Sequence, residues 1–284
     1  MASHDEARER ILQALRKEGP GVTAYVVGVT DVGKTTVARA LAEGLAQDRP
    51  TAVVDADPGQ AWLGPPTCVS TGWAGAQTPL ATRFVGDVTP AGHMLQTLAG
   101  VARLVARARE EGAEAVVVDS SGFVGSEPAR AFQYHVIDLL EPGHLVAVGN
   151  EEADGILAPF RHRPGVIGHR LPPSPRVKPR SPETRRRHRA ERLRAYFAGA
   201  REHSFAGAEL PLHGRVPAPG TVEPANGRVS ALLDHRGFVL ALAVALRLQP
   251  DETVVWAPSV AREDVASLEV GTLLWDAAVS PDED

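Results

Sequence analysis

A chain of 284 residues, 43% apolar and 23% charged, is enough for one large domain or two smaller ones, and its composition excludes whole-chain disorder. A single cysteine, Cys68, excludes an intramolecular disulfide and a thiolate zinc site, and the acidic opening MASHDEARER is unlike a secretory signal. No apolar run reaches the roughly eighteen residues that cross a bilayer, and a net charge of −5 argues against a general nucleic-acid binder, so a globular cytoplasmic protein with no membrane partner is expected.

Residues 4–18 place Ile11, Leu12 and Leu15 on one face of an amphipathic helix, which Gly19-Pro20-Gly21 ends. The run TAYVVGV then predicts a buried strand. A glycine-bounded loop, the helix TTVARALAEGLAQ and the short strand TAVVDAD follow. Strand, loop, helix and strand at this spacing form a βαβ unit and imply a parallel sheet covered on both faces. Residues 58–92, rich in Gly, Pro and Thr, are expected to be mostly loop. A helix from Met94 to Glu110 leads to AEAVVVDSSG, the strongest strand signal in the chain, and a helix from Ala129 to Leu140 leads to the strand HLVAVGN. Residues 161–182, rich in proline and arginine, read as an extended, mobile excursion, and Arg185 to Phe197 has helical character. Beyond about Ser204, short β-like runs with turns at His235-Arg236-Gly237 and Gln249-Pro250-Asp251 predict a small β-rich module.

Gly28-Val29-Thr30-Asp31-Val32-Gly33-Lys34-Thr35 fits G-x-x-x-x-G-K-[ST] between a strand and a helix. Such a loop turns its backbone N–H groups toward a polyphosphate, and the helix N-terminus adds a favourable dipole. Lys34 can reach the terminal phosphates and the Thr35 hydroxyl can ligate Mg²⁺. The expected fold class is therefore α/β: a P-loop NTPase with a mainly parallel sheet covered by helices, plus the β-rich C-terminal module. The expected division is 1–203, with a lid at about 161–197, and 204–284.

Asp55-Ala56-Asp57-Pro58-Gly59-Gln60 ends the second strand, where a carboxylate can hold Mg²⁺ or take a proton from an attacking hydroxyl; Asp57 is preferred and Asp55 is second. Asp119-Ser120-Ser121-Gly122 ends the third strand and matches the D-x-x-G of GTPase switches. Asn150 could open an N-K-x-D guanine motif, but Glu151 stands where lysine is required. From Arg161 to Arg194, twelve Lys/Arg face two Glu, while the rest of the chain is acidic. This reads as a local polyanion site or as a solvated basic helix. Trp62 and Trp73 are expected to cover core edges, and Cys68 to be a small buried apolar residue.

With these motifs the chain resembles the polyribonucleotide 5′-hydroxyl-kinase family, the P-loop RNA kinases of mRNA 3′-cleavage complexes and pre-rRNA processing. The likeness rests on the P-loop with Asp31 before its second glycine, on Asp55 to Gln60 as D-x-D-x-G-Q, and on Ser120-Ser121-Gly122-Phe123 in place of a T-x-G-W clasp. An arginine-rich lid, Arg180 through Arg185, Arg189, Arg192 and Arg194, runs into Tyr196-Phe197. The P-loop begins near residue 28, so a version without the N-terminal β-domain of larger relatives is implied.

The resemblance implies ATP or another NTP as donor, Mg²⁺ as cofactor, and single-stranded or end-exposed RNA or DNA with a 5′-OH as partner. Gly28, Thr30, Asp31, Val32, Gly33, Lys34, Thr35 and Thr36 would cradle the nucleotide, and Thr35 and Asp57 would hold the metal. Lys34, Asp57, Arg185 and Arg189 would be catalytic: Asp57 as base, the two arginines, four apart on a helix, converging on the transferring phosphoryl group. Gln60, Ser120, Gly122, Phe123 and His93 would bind the acceptor, the last through its place beside Gly86-Asp87-Val88-Thr89-Pro90, which matches a family loop. Arg176 and Arg192 would serve acceptor affinity. The competing readings are a P-loop scaffold for RNA processing and a GTPase-like regulator, the latter weakened by Glu151.

Overall fold

In the computed structural model, β1 (Val22–Val27) lies inside a seven-stranded sheet whose order follows from what these runs can bury. β2 (Thr51–Ala56), β5 (Ala115–Ser120), β6 (His144–Val148) and β7 (Ile167–Leu171) run parallel to it, in the order β2-β5-β1-β6-β7. The structure describes residues 4–149, 151–174, 177, 179–207, 209–216 and 227–276; Asn150 and Arg176 lie outside them. β1, β2, β5 and β6 are buried along their whole length, as strands covered on both faces must be. Ala24 and Val26 pack with Leu41 and Leu45 of α2 (Lys34–Leu45) and Leu12 and Leu15 of α1 (His4–Lys17). The alternate residues Tyr25 and Val27 meet Val101 and Leu104 of α3 (Met94–Glu110), Val136 and Ile137 of α4 (Glu127–Leu140) and Ile156 of α5 (Glu151–Leu157). Among the described residues no helix is long and apolar enough to cross a membrane.

Two expectations are corrected. Residues 58–92 are not mostly loop. β3 (Cys68–Trp73) and β4 (Ala81–Phe84) extend the sheet past β2 in antiparallel pairing. Their pairing is with distant residues, and the flanking glycines and prolines mark the turns rather than the strands. Residues 161–182 are not wholly an excursion either, since β7 is the last strand of the parallel series. Buried Leu171 seats it, and Arg170 pairs with Asp154 across to α5.

The second sheet has the order β8-β12-β11-β10-β13-β9: β8 (Arg201–Ala206), β9 (Leu212–Gly214), β10 (Arg228–Leu233), β11 (Val239–Leu248), β12 (Glu252–Ala257) and β13 (Ser267–Leu274). It is antiparallel except where β13 meets β9. The basic helix α6 (Pro182–Tyr196) joins the two sheets. Its C-terminal end is apolar, and Leu193 and Phe197 enter a cluster with Cys68 and Phe84 of the first sheet and Val229, Leu242 and Val244 of the second. Phe197 stacks on Trp256 at 5.2 Å and meets Trp275 edge-on at 4.8 Å. Burying one such aromatic side chain contributes about 1.5–3 kcal/mol, so this end of the helix is firmly held. Cys68 is fully buried, as expected, and burial pushes its thiol pKa up.

Candidate active site

The parallel order puts the C-termini of β1, β2 and β5 side by side, and the P-loop leaves β1 at that edge. Gly33 caps α2 with φ 97°, a left-handed conformation that glycine adopts without a Cβ penalty. Asp31 also has positive φ, 58°, which aspartate tolerates better than bulkier residues. The first N–H groups of α2 have no partner within the helix, and a helix start of this kind can accept an anion. Lys34 is 7% exposed and its Nζ donates to Val29 O at 2.8 Å. Burial lowers its pKa, against the opposing charges of Asp119, Asp57 and Asp31.

Asp55 and Asp119 are register partners on β2 and β5, and both are 1% exposed. Asp55 is occupied with backbone. Its Oδ2 accepts from Trp62 N at 2.7 Å and Leu63 N at 3.0 Å, and its Oδ1 from Asp57 N at 3.3 Å. Burial, then the nearby Asp119, pushes its pKa up to about 8. Asp119 is raised to about 6 by burial, with Lys34 pulling it back, and its Oδ1 has no hydrogen-bond partner. Asp57 Oδ1 accepts from Gly59 N and Gln60 N, each at 2.9 Å, which fixes the turn that presents this residue and Gln60.

Two cavities open here. The larger, about 640 Å³, is lined by Lys34, Thr35, Thr36, Arg39, Trp62 and Arg192, among others. The smaller, about 250 Å³, is lined by Thr30, Thr89, Gly122, Phe123, Arg185 and Arg189, among others. Asp57 and Gln60 line both. Gly122 fits against the P-loop because a Cβ there would stand 2.1 Å from Thr30 Oγ1. Phe123 is partly buried, its ring 6.1 Å from that of Phe132.

Helix α6 faces both cavities through two neighbouring stripes of i, i+4 spacing. Arg185 and Arg189 line the smaller cavity, while His188 and Arg192 line the larger. Ser181 caps the helix by accepting from Thr184 N at 3.1 Å. Arg185 Nη1 donates to Asp31 Oδ2 at 3.0 Å and Arg180 N to the same oxygen at 3.0 Å. Burial lowers the pKa of Arg189, as does neighbouring Arg185, while Asp57 and Asp87 oppose them.

Most of the sequence-derived site residues converge, and five differ in place. Thr30 lines the smaller cavity rather than the larger, and Val32 is buried in the core with its carbonyl accepting from Ser174 N. Ser120 lines the larger cavity, and Ser121 takes the place expected of it in the smaller one. His93 lines neither; its Nε2 faces Thr272 Oγ1 at 3.1 Å in the seam with the second sheet. Arg192, expected to serve the acceptor, lies on the P-loop side and donates to Gly64 O at 2.6 Å. Trp73 packs against the core, but Trp62 both packs against it and lines the larger cavity, with the Arg39 guanidinium 5.0 Å from its ring. Asp119, outside the expected site residues, was legible as a carboxylate ending a buried apolar run beside the P-loop strand.

Solved structures with the same fold include a wild-type Clp1p–Pcf11p complex, at TM-score 0.69 and 14% identity over 95% of this chain and 78% of that one. A second, described as an extended interface between Pcf11p and Clp1p and the structural basis for ATP loss in a point mutant, has TM-score 0.70 and 14% identity. It covers 96% of this chain and 80% of its own. No curated protein matches at the level of sequence. The family model for the P-loop of mRNA cleavage and polyadenylation factor CLP1 matches residues 28–199, from the first P-loop glycine to just beyond α6, and the chain belongs to that family.

Proposed function

We propose that the protein is a polynucleotide 5′-hydroxyl kinase, moving the γ-phosphoryl group of ATP or another NTP to the 5′-OH end of single-stranded or end-exposed RNA or DNA. The observation that carries this reading is the meeting of the two cavities at Asp57 and Gln60. The larger takes the triphosphate on Lys34, Thr35 and Thr36. The smaller takes the 5′ end, whose terminal base stacks on Phe123, an interaction worth about 1–3 kcal/mol in single-strand sites. Likeness to Clp1p, described by its loss of ATP on mutation, supports ATP as donor.

In the transfer, the 5′ oxygen bonds to the γ-phosphorus and its proton passes to Asp57, while Gln60 orients the hydroxyl. The bond from the γ-phosphorus to the bridging oxygen breaks and the nucleoside diphosphate leaves. Lys34, Arg185 and Arg189 meet the charge that spreads over the phosphoryl oxygens. Thr35, Asp57 and Asp119 suit Mg²⁺, being hard oxygen donors, and the buried Asp119 Oδ1 without a partner fits such an ion. Among the described residues no three His, Cys, Asp or Glu converge on a metal by themselves. Bound there, Mg²⁺ would neutralise phosphate charge.

A second reading is a nucleotide-binding scaffold, favoured by the assembly of Clp1p with Pcf11p in its solved structures. Incubation with γ-labelled ATP and a 5′-OH oligonucleotide separates the two. A kinase labels the oligonucleotide, whereas a scaffold binds ATP and labels nothing.

A further inference from the structure

We propose that Thr272, on β13 of the second sheet, is a positioning residue for the acceptor, setting the Gly86–Pro90 loop that walls the smaller cavity. This deepens the kinase reading and rests on it.

Val88, Thr89 and Pro90 of that loop line the smaller cavity together with Arg185 and Arg189. The loop is tied to β13 through Gly86 O, which accepts from Thr272 N at 2.9 Å and from Leu273 N at 3.3 Å. The Thr272 hydroxyl has one proton, and it donates to Asp87 Oδ2 at 2.6 Å. Its lone pair faces His93 Nε2 at 3.1 Å, at the start of α3. Asp87 Oδ1 accepts from Val88 N at 2.7 Å. One carboxylate oxygen thus orders the cavity wall while the other is held from the second sheet. The charge of Asp87 also acts on Arg189.

The opposite attachment has the same origin. Helix α6, which carries Arg185 and Arg189, ends in the cluster shared with the second sheet, and Tyr196 Oη accepts from Leu242 N at 3.0 Å. The second sheet therefore holds both the loop and the helix that bound the acceptor cavity. No Thr272 bond reaches the P-loop, so its effect falls on the acceptor and not on the nucleotide.

Thr272→Val keeps the shape and removes the hydroxyl, while Thr272→Ser keeps the hydroxyl. Steady-state kinetics on the full chain should show acceptor KM raised about tenfold to a hundredfold in Thr272→Val, the scale of one lost hydrogen bond to a charged group. ATP KM should be unchanged and kcat within about twofold; Thr272→Ser should be near wild type. Asp87→Asn, which weakens the same bond from its other end, should show the same split. An unchanged acceptor KM in Thr272→Val, an equal defect in Thr272→Ser, or ATP KM rising in step would overturn the proposal. If the wild-type chain transfers no phosphoryl group, the kinase reading fails on its own. The positioning claim is then read from anisotropy of a fluorescent 5′-OH oligonucleotide, where weaker binding by Thr272→Val and Asp87→Asn but not by Thr272→Ser supports it, and binding equal to wild type by all three variants overturns it.

Discussion

Asp31 in the P-loop and Arg185 in the first turn of α6 form an ion pair at 3.0 Å, both partly shielded from solvent. The same Asp31 oxygen accepts from Arg180 N, so one carboxylate ties the phosphate loop to the approach and the start of α6. The other end of that helix is held by an aromatic cluster instead. The N-terminal half of α6 therefore depends on charge and the C-terminal half on packing. Removing Asp31 should free only the first. Limited trypsin digestion of Asp31→Ala should cleave at the exposed Arg186 and Arg187 several-fold faster than wild type, and nucleotide should slow both. Equal rates in the two proteins would show that the ion pair does not hold the start of α6.

Asp57 and Asp55 should separate cleanly. Asp57→Asn keeps shape but removes the proton acceptor, so kcat should fall by about 10²–10⁴-fold with ATP affinity retained. Asp55 instead accepts three backbone N–H groups and holds the 57–63 turn. Asp55→Ala should lower unfolding stability by about 1–3 kcal/mol, because it leaves buried donors unpaired. An Asp57→Asn enzyme with normal kcat would pass the base role to Asp119.

The two stripes of α6 should give opposite kinetic signatures. Arg185→Ala and Arg189→Ala should lower kcat at saturating acceptor, and Arg→Lys at either should not restore it, because a point charge does not replace the guanidinium fork. Arg192→Ala should raise ATP KM and leave acceptor KM unchanged, given its place in the larger cavity. If Arg192→Ala raises acceptor KM instead, the assignment of the two cavities is reversed.

His144 at the start of β6 and His169 in the middle of β7 share one hydrogen bond, Nδ1 to Nε2 at 2.9 Å, and one of the two nitrogens must accept. Burial lowers both pKa values, that of His169 to about 4 with a further push from His144. Below about pH 6.5 the unfolded chain takes up protons that the folded pair refuses, so this pair favours folding less as pH falls toward 4. The raised carboxylates Asp55 and Asp119 contribute with the opposite sign across neighbouring pH, so the test is a difference. Urea unfolding of wild type and His169→Gln at pH 7.5 and pH 5 should show wild type losing more stability on acidification. Parallel losses would remove the pair from the account.

The parts of this molecule written in local pattern were legible in its sequence. The P-loop needs glycine at fixed offsets, Asp57 and Gln60 follow β2 directly, and α6 announces itself by its arginines. The parts set by distant pairing were not. β3 and β4 form only because β2 offers an edge, and β7 forms because β6 does. His93 is drawn toward Thr272, a residue 179 positions away, which no spacing rule reports. The division of labour along α6 depends on where two cavities lie beside one helix, so Arg192 could be named from sequence but not placed.

The central claim is tested most directly by mass analysis of a 5′-OH oligonucleotide after incubation with ATP and Mg²⁺. Matched RNA and DNA acceptors should be run with wild type, Lys34→Ala and Thr35→Ala. The account predicts gain of one phosphoryl group at the 5′ end, ADP in equal amount, and neither product from the two variants, which act on polyphosphate rather than on the core. ATP bound or hydrolysed with both oligonucleotides left unphosphorylated would contradict it.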